Sequence, residues 1–197
     1  KFFPSSQYKR ELQRNTAPKV ASMKDLEAFV ALFPDKAFLP DAITALRPKL
    51  SRIELSMLIV RYPKESFTRD LKNYYISNSL DVAEVLEAAN LYPVHSLDIE
   101  QVASGKIRTP LDGDLYLRNF KKGKNRPLVQ TKMKDLLKDE YAYMHSTKDK
   151  YNFYVKYQNL VYDPDNILKR TSAELESLEA RYQKVFDDIV EKRDLPN

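Results

Sequence analysis

Glycine is so scarce in this chain that β-rich folds are disfavoured from the outset. Only three glycines, Gly105, Gly113 and Gly123, occur in 197 residues. β-Hairpin turns and phosphate-binding loops rely on glycine because it adopts backbone angles that other residues avoid. The eleven prolines mostly fall between apolar runs, where prolines end helices. The sequence therefore predicts an all-α protein, an irregular helical bundle.

The predicted helices follow from apolar residues at helical spacing and from the capping residues that precede them. Ser22 is the expected N-cap of a helix over 23–33, and Ser51 with Glu54 forms a capping box that opens another helix. Further helices are predicted after Pro40, from Ser66, after a cap at Ser79, over 96–104, over 133–145 and over 148–162. The segment 107–120 is predicted to be a loop with a short extended piece at Leu115–Leu117.

These elements divide the chain into four predicted segments. They are an extended arm over 1–21, a helical domain over 22–106, a basic loop over 107–132, and a C-terminal helical region over 133–197. In the first half, the aromatic–proline pairs beginning at Phe33, Tyr62 and Tyr92 end three apolar helices at intervals of 29 and 30 residues. Regular intervals of this length are typical of helical repeats. A plain helical bundle, in which proline simply stops each helix, is the alternative.

The most informative charged segment lies between Asp114 and Asp135, where seven basic residues occur without an acidic one. They are Arg118, Lys121, Lys122, Lys124, Arg126, Lys132 and Lys134. Such a segment cannot bury its charges, and it is stabilised by lying against phosphates. We therefore expect a flexible basic loop that contacts RNA.

The N-terminal arm is the second predicted RNA contact. Its candidate residues are Lys9, Arg10 and Arg14, and the whole chain carries a net charge of +5. The arm shows no clean helical period, and its aromatic residues can anchor it on a partner. A basic front and middle of the chain favour polyanions.

The C-terminal part of the chain predicts a protein interface. Thr171 and Glu174 resemble a capping box that opens a long helix. From Thr171 onward the chain contains seven acidic residues and only four basic ones. Apolar residues then recur at spacings of 3 and 4, at Leu175, Leu178, Tyr182, Val185 and Ile189. This narrow seam suits one partner helix, in this chain or in another protein.

The sequence offers no support for an enzyme or for a bound cofactor. Because the chain has no cysteine, it cannot form disulfides, thiolate nucleophiles or zinc–thiolate sites. His95 and His145 are isolated and lack the surrounding carboxylates of a metal site. No run of apolar residues has the length of about 20 that a membrane span needs. The tyrosine-rich stretch 141–162 has two interpretations, because its rings suit either a helical core or the stacking of unpaired bases.

One segment resembles the acyl carrier protein signature, F-x-x-D-L followed by D-S-L-D-x-x-E. Here Phe67–Leu71 matches the first part and Ser79–Val85 the second, but Asn78 replaces the aspartate before the serine. In carriers this serine opens a helix and bears phosphopantetheine; the resemblance implies a carrier-like helical domain reused structurally, without the prosthetic group. Such reuse is known among large-subunit mitochondrial ribosomal proteins. The basic, glycine-poor and cysteine-free character of the chain also resembles fungal mitochondrial ribosomal proteins.

A second resemblance is to the repeats of mitochondrial transcription termination factors. The stretch from Leu50 to Pro63 looks like their helix followed by R-x-P, and the thirty-residue interval agrees with it. This resemblance implies a free nucleic-acid-binding regulator built from helical repeats.

Taken together, these features predict a structural component of the mitochondrial ribosome, of the large subunit, located in the matrix. Its expected partners are rRNA and neighbouring ribosomal proteins, with no small-molecule substrate. The regulator built from helical repeats is one alternative. A helical adaptor or assembly factor, whose basic loop meets anionic lipid, is the other.

Overall fold

A computed structural model describes residues 6–193, and the side chains of residues 7–191, as an all-α protein. Within that range the chain forms eleven α-helices and no strand, which confirms the predicted fold class. The helices are α1 (Ser6–Thr16), α2 (Met23–Leu32), α3 (Leu39–Leu46), α4 (Arg52–Arg61), α5 (Thr68–Ser77), α6 (Val82–Leu91), α7 (Ile99–Gly105), α8 (Pro110–Asn119), α9 (Arg126–Ala142), α10 (Thr147–Tyr157) and α11 (Ile167–Arg193). Short 3-10 helices follow α1 and α3 and precede α11.

The described residues group into two compact units. The first contains residues up to Asn78 together with Ala88–Leu97, and the second contains Ser79–Glu87 and the chain from Asp98 onward. The core of the first unit is built from buried aliphatic and aromatic side chains, among them Leu26, Phe29, Ile43 and Leu58. In the second unit, a separate cluster joins α9, α10 and α11 through Leu137, Phe153, Tyr157, Ile167 and Leu168.

A period of about 29 residues runs through the helices. α2, α4, α6 and α8 begin at Met23, Arg52, Val82 and Pro110, at intervals of 29, 30 and 28 residues. Each is ten residues long. Each is followed directly by an aromatic residue whose backbone N–H donates to the carbonyl four residues earlier: Phe33, Tyr62, Tyr92 and Phe120. The aromatic–proline interval seen in the sequence therefore marks a structural repeat, and Phe120 is its fourth member.

Three of the turns that follow these aromatic residues share one hydrogen-bond pattern. The aromatic carbonyl accepts from the N–H three residues later, and that residue's carbonyl accepts from the N–H three residues further on. In the three turns, the first of these two bonds runs from Lys36 N to Phe33 O (3.2 Å), from Glu65 N to Tyr62 O (3.3 Å) and from Gly123 N to Phe120 O (3.0 Å), respectively. Because the pattern is the same, Lys64 and Lys122 occupy the same position in their turns.

The predicted loop over 107–120 is wrong, because most of it is α8. Thr109 caps this helix in a full capping box with Asp112, and Pro110 occupies its first turn, where proline is favoured. Leu115–Leu117 is accordingly helical rather than extended. The basic loop over 107–132 is also largely helical, since α9 begins at Arg126. Within this segment, only residues 107–109 before α8 and the turn over 120–125 between α8 and α9 are irregular.

The extended arm is wrong for the part that the structure describes. Residues 6–16 form α1, and the 3-10 helix after it places Ala17 and Val20 in the core of the first unit, at 0% and 2% exposure. Burial of these two side chains holds a segment whose own sequence shows little helical period. Phe2 and Phe3, suggested as anchors, lie outside the described residues.

Two predicted helix caps are also corrected. The side chain of Asp81, not that of Ser79, accepts from the N–H of Glu84 at the start of α6. Thr171 lies inside α11 and donates to the carbonyl of Ile167. The N-terminus of α11 is capped by Asp163, which accepts from the N–H groups of Leu168 and Lys169 at 2.9 and 3.1 Å.

Gly113 allows α8 and α9 to approach closely. A Cβ atom at this position would lie 2.2 Å from Cγ and 2.6 Å from Sδ of Met133, which is fully buried. Gly113 is therefore selected by the space available and not by an unusual backbone angle.

We predict that Gly113→Ala lowers the free energy of unfolding by about 1–3 kcal/mol, because the fully buried Met133 side chain must shift to admit the added Cβ. Urea unfolding followed by circular dichroism measures the change. Gly105→Ala is the matched control, since nothing lies within 4 Å of the added Cβ. Equal stability of the two variants would contradict this account of the α8–α9 contact.

Candidate nucleic-acid interface

The turn between α8 and α9 is held by the carboxylate of Glu100, on α7. Its Oε1 accepts from the hydroxyl of Tyr116 and from the backbone N–H of Asn125, both at 2.7 Å. Tyr116 is fully buried, and burial together with Glu100 raises the pKa of its hydroxyl. The bonds from Tyr116 and Asn125 lower the pKa of Glu100 below its ordinary value. The turn is thus fixed by an ionised acceptor.

Two of the predicted RNA-binding residues have structural roles at this turn. The guanidinium of Arg126 donates to the carbonyls of Leu117 and Phe120, at 2.7 and 3.1 Å, and so satisfies the C-terminal end of α8. Arg118 pairs with Asp114 at 2.5 Å and donates to the carbonyl of Asn159 at 2.6 Å.

Two more of these residues are bound by carboxylates. Lys124 lies 2.6 Å from Asp98, and their hydrogen bond raises the pKa of Lys124 and lowers that of Asp98. Lys134 lies 3.0 Å from Asp165, which also pairs with Lys138 at 2.8 Å. These ion pairs neutralise a large part of the charge that the sequence places in this segment.

The remaining cations of the basic segment are Lys121, Lys122 and Lys132. All three are exposed, and none forms a hydrogen bond or ion pair with a described residue. Lys121 and Lys122 are adjacent in the turn that Glu100 holds, whereas Lys132 lies on α9. The structure thus offers two neighbouring lysines on a fixed turn rather than seven on a flexible loop.

The three predicted N-terminal contacts lie on α1. Arg10 and Arg14 are exposed and one helical turn apart. Lys9 pairs with Asp35 at 3.6 Å, where the side-chain oxygens of Asp35 also accept from Gln13. Arg10 and Arg14 therefore keep their charges available, while Lys9 shares its charge with Asp35.

Sequence reasoning missed Lys64. It is exposed and occupies the position of Lys122 in an earlier turn of the same pattern. Together with Lys72 and His95 it lines a cleft of about 510 Å³ in the first unit. The available signal was the aromatic–proline pair directly before it, which places this lysine in the repeated turn.

The tyrosine-rich stretch is divided between core and surface. Tyr157 is buried and donates to Glu140, while Tyr141 is half-buried against Phe153. Tyr143 and Tyr151 are 75% and 57% exposed. No tyrosine of this stretch lies in the turn that carries Lys121 and Lys122.

The predicted interface on α11 is mostly exposed. Leu175 and Leu178 are half-buried beside α10, whereas Tyr182, Val185 and Ile189 are 71%, 55% and 50% exposed. A groove of about 770 Å³ lies between α10 and α11, lined chiefly by tyrosine and leucine side chains. No other described element covers the seam beyond Leu178.

Comparison with known proteins returned no matching protein family, no matching curated protein and no matching solved structure. Among the described helices, none is both long and apolar enough to cross a membrane. The described residues contain no group of three or more histidine, aspartate or glutamate side chains placed to hold a metal ion. Ser79, the residue that matches the modified serine of carrier proteins, is 2% exposed.

We predict that Glu100→Gln lowers the melting temperature at neutral pH, because the turn loses its charged acceptor. A depressed carboxyl pKa contributes stability above its ordinary value of 4.5, and this contribution is lost as the pH falls through the lower folded value. The difference between wild type and variant should therefore shrink as the pH is lowered below 4.5. Thermal unfolding across this range measures it.

Glu87→Gln is the control, since Glu87 is exposed and forms no hydrogen bond or ion pair with a described residue. A difference between wild type and Glu100→Gln that stays constant with pH would show that the Glu100 carboxylate does not hold the turn as described.

Proposed function

We propose that this protein binds RNA through lysines in the turns between its helices, and that it is a structural component of the large subunit of the mitochondrial ribosome. One observation carries the proposal. Lys121 and Lys122 are exposed and form no ion pair with a described residue, and they lie on a turn that Glu100 and Arg126 hold in place. A cation on a fixed turn loses less conformational entropy on binding than one on a mobile loop.

The proposed mechanism is electrostatic. Each lysine that meets a phosphate releases condensed counterions from the RNA, so affinity falls as salt rises. Phosphate contacts position a protein on RNA without reading bases, and recognition then depends on the shape of the RNA. Arg10 and Arg14 on α1 supply further contacts of the same kind.

A second candidate function is supported by the repeated turn. Lys64 and Lys122 occupy the same position in two turns with the same hydrogen bonds. Lysines at equivalent positions of separate helical repeats are one way in which proteins contact nucleic-acid phosphates, although the turn after Phe33 carries Asp35 at this position. This observation favours the free nucleic-acid-binding regulator, with the same lysines in contact with phosphate.

We predict that Lys121→Gln/Lys122→Gln reduces the slope of log K against log salt by about 1.5 for a single-stranded RNA, since each lost phosphate contact lowers it by about 0.7–0.9. Fluorescence anisotropy with a labelled RNA at several potassium chloride concentrations measures the slope. Lys49→Gln/Lys169→Gln is the matched control, because both lysines are exposed and neither lies in a repeated turn. Equal slopes for the two double variants would refute the role of this turn.

The ribosomal setting has its own test. Tagged protein from a mitochondrial lysate should sediment with a ribosomal subunit and shift to light fractions after ribonuclease treatment. Sedimentation as a small species before ribonuclease treatment would instead favour the free regulator, provided that RNA binding by the purified protein persists.

A further inference from the structure

The last part of α11 exposes an apolar stripe that no other element of the described chain covers. Tyr182, Val185 and Ile189 follow the spacing of a coiled-coil seam, and Phe186 and Val190 widen it at 61% and 41% exposure. α11 extends to Arg193, and all residues over 179–191 are exposed. A stripe of this kind is stabilised by packing against a second helix.

The charges beside the stripe indicate which helix this is. If Leu175, Tyr182 and Ile189 are the a positions of a heptad, Leu178 and Val185 are the d positions. Arg181 and Asp188 then both occupy g positions, immediately before an a residue. Both are exposed, and neither forms an ion pair with a described residue. In an antiparallel pair of helices, g positions face each other across the seam.

An antiparallel pair of two α11 helices satisfies both the apolar and the charged positions. With Tyr182 opposite Val185 of the second copy, Leu178 lies opposite Ile189 of the second copy. In that register Arg181 faces Asp188 of the second copy, and two-fold symmetry forms this ion pair twice. The apolar layers and the ion pairs thus agree on one register.

A parallel pair is less favourable. Parallel helices bring each g position opposite the e position five residues later. Glu174 would then face Glu179 of the second copy, and Arg181 would face Phe186. The first contact repels, the second leaves the arginine without a partner, and only the third g position, Asp188, meets a residue of opposite charge, Arg193.

We propose that a second copy of this chain covers the stripe, through antiparallel packing of the two α11 helices. In this arrangement Phe186 of the second copy lies opposite Glu179, which lines the groove between α10 and α11. Tyr151 and Tyr154 line the same groove and provide an aromatic surface beside it. The pairing does not depend on RNA binding, and its test contains no RNA.

Charge exchange tests the pairing and its direction. The full-length wild-type protein should sediment at equilibrium as a dimer, with twice the chain mass of 23.0 kDa. Arg181→Asp places two pairs of aspartates opposite each other, and Asp188→Arg places two pairs of arginines, so each single variant should dimerise at least about tenfold more weakly. The double variant Arg181→Asp/Asp188→Arg should dimerise as well as wild type.

Circular dichroism controls for loss of the helix, since both positions are exposed. A wild-type protein that remains monomeric at high micromolar concentration would overturn the proposal. A double variant as weak as the single variants would also overturn it, because only antiparallel self-pairing restores both ion pairs.

Discussion

A buried aromatic residue directly after each of α2, α4 and α6 organises much of the first unit. Helices this short are marginal in water by themselves, so they form because packing holds them. Phe33, Tyr62 and Tyr92 are 5%, 6% and 7% exposed, and each also donates its N–H to the preceding helical turn. The side chain thereby fixes where the helix stops, and after Phe33 and Tyr62 the backbone takes up the repeated turn. Lys64 is positioned as a consequence.

The cations of the basic segment fall into two groups, those that form contacts within the fold and those that remain exposed. Arg118, Lys124, Arg126 and Lys134 are held by carboxylates or by backbone carbonyls of the second unit. Exposed ion pairs contribute little to stability individually. Arg126 has a larger effect, because it donates to the carbonyl of Leu117 in the last turn of α8 and also to that of Phe120. Lys121 and Lys122, which form no such contact with a described residue, lie in the turn that these contacts hold in place.

α11 differs from the other helices because it extends well beyond the elements that pack against it. Its first part contributes Ile167 and Leu168 to the core of the second unit, whereas its later turns contact nothing else in the described chain. These later turns carry apolar residues on one side. Arg181 and Asp188 beside them would pair with each other across two antiparallel copies. Such a helix is suited to association between copies. RNA binding and self-association would then use separate parts of the second unit.

The sequence by itself determined the fold class, the caps at Ser22 and Ser51, the aromatic–proline interval and the long C-terminal helix. These depend on neighbouring residues, because capping and helical periodicity act within one or two turns of chain. Thr109, Pro110 and Asp112 mark the start of α8 locally, whereas only the tertiary structure explains Gly113, since the reason for that glycine is Met133, twenty residues away in sequence. It also decided which cations are available. Arg118 binds the carbonyl of Asn159, Lys124 pairs with Asp98, and Lys134 pairs with Asp165. Folding brings these partners from 26 to 41 residues away. A local run of basic residues therefore could not predict them.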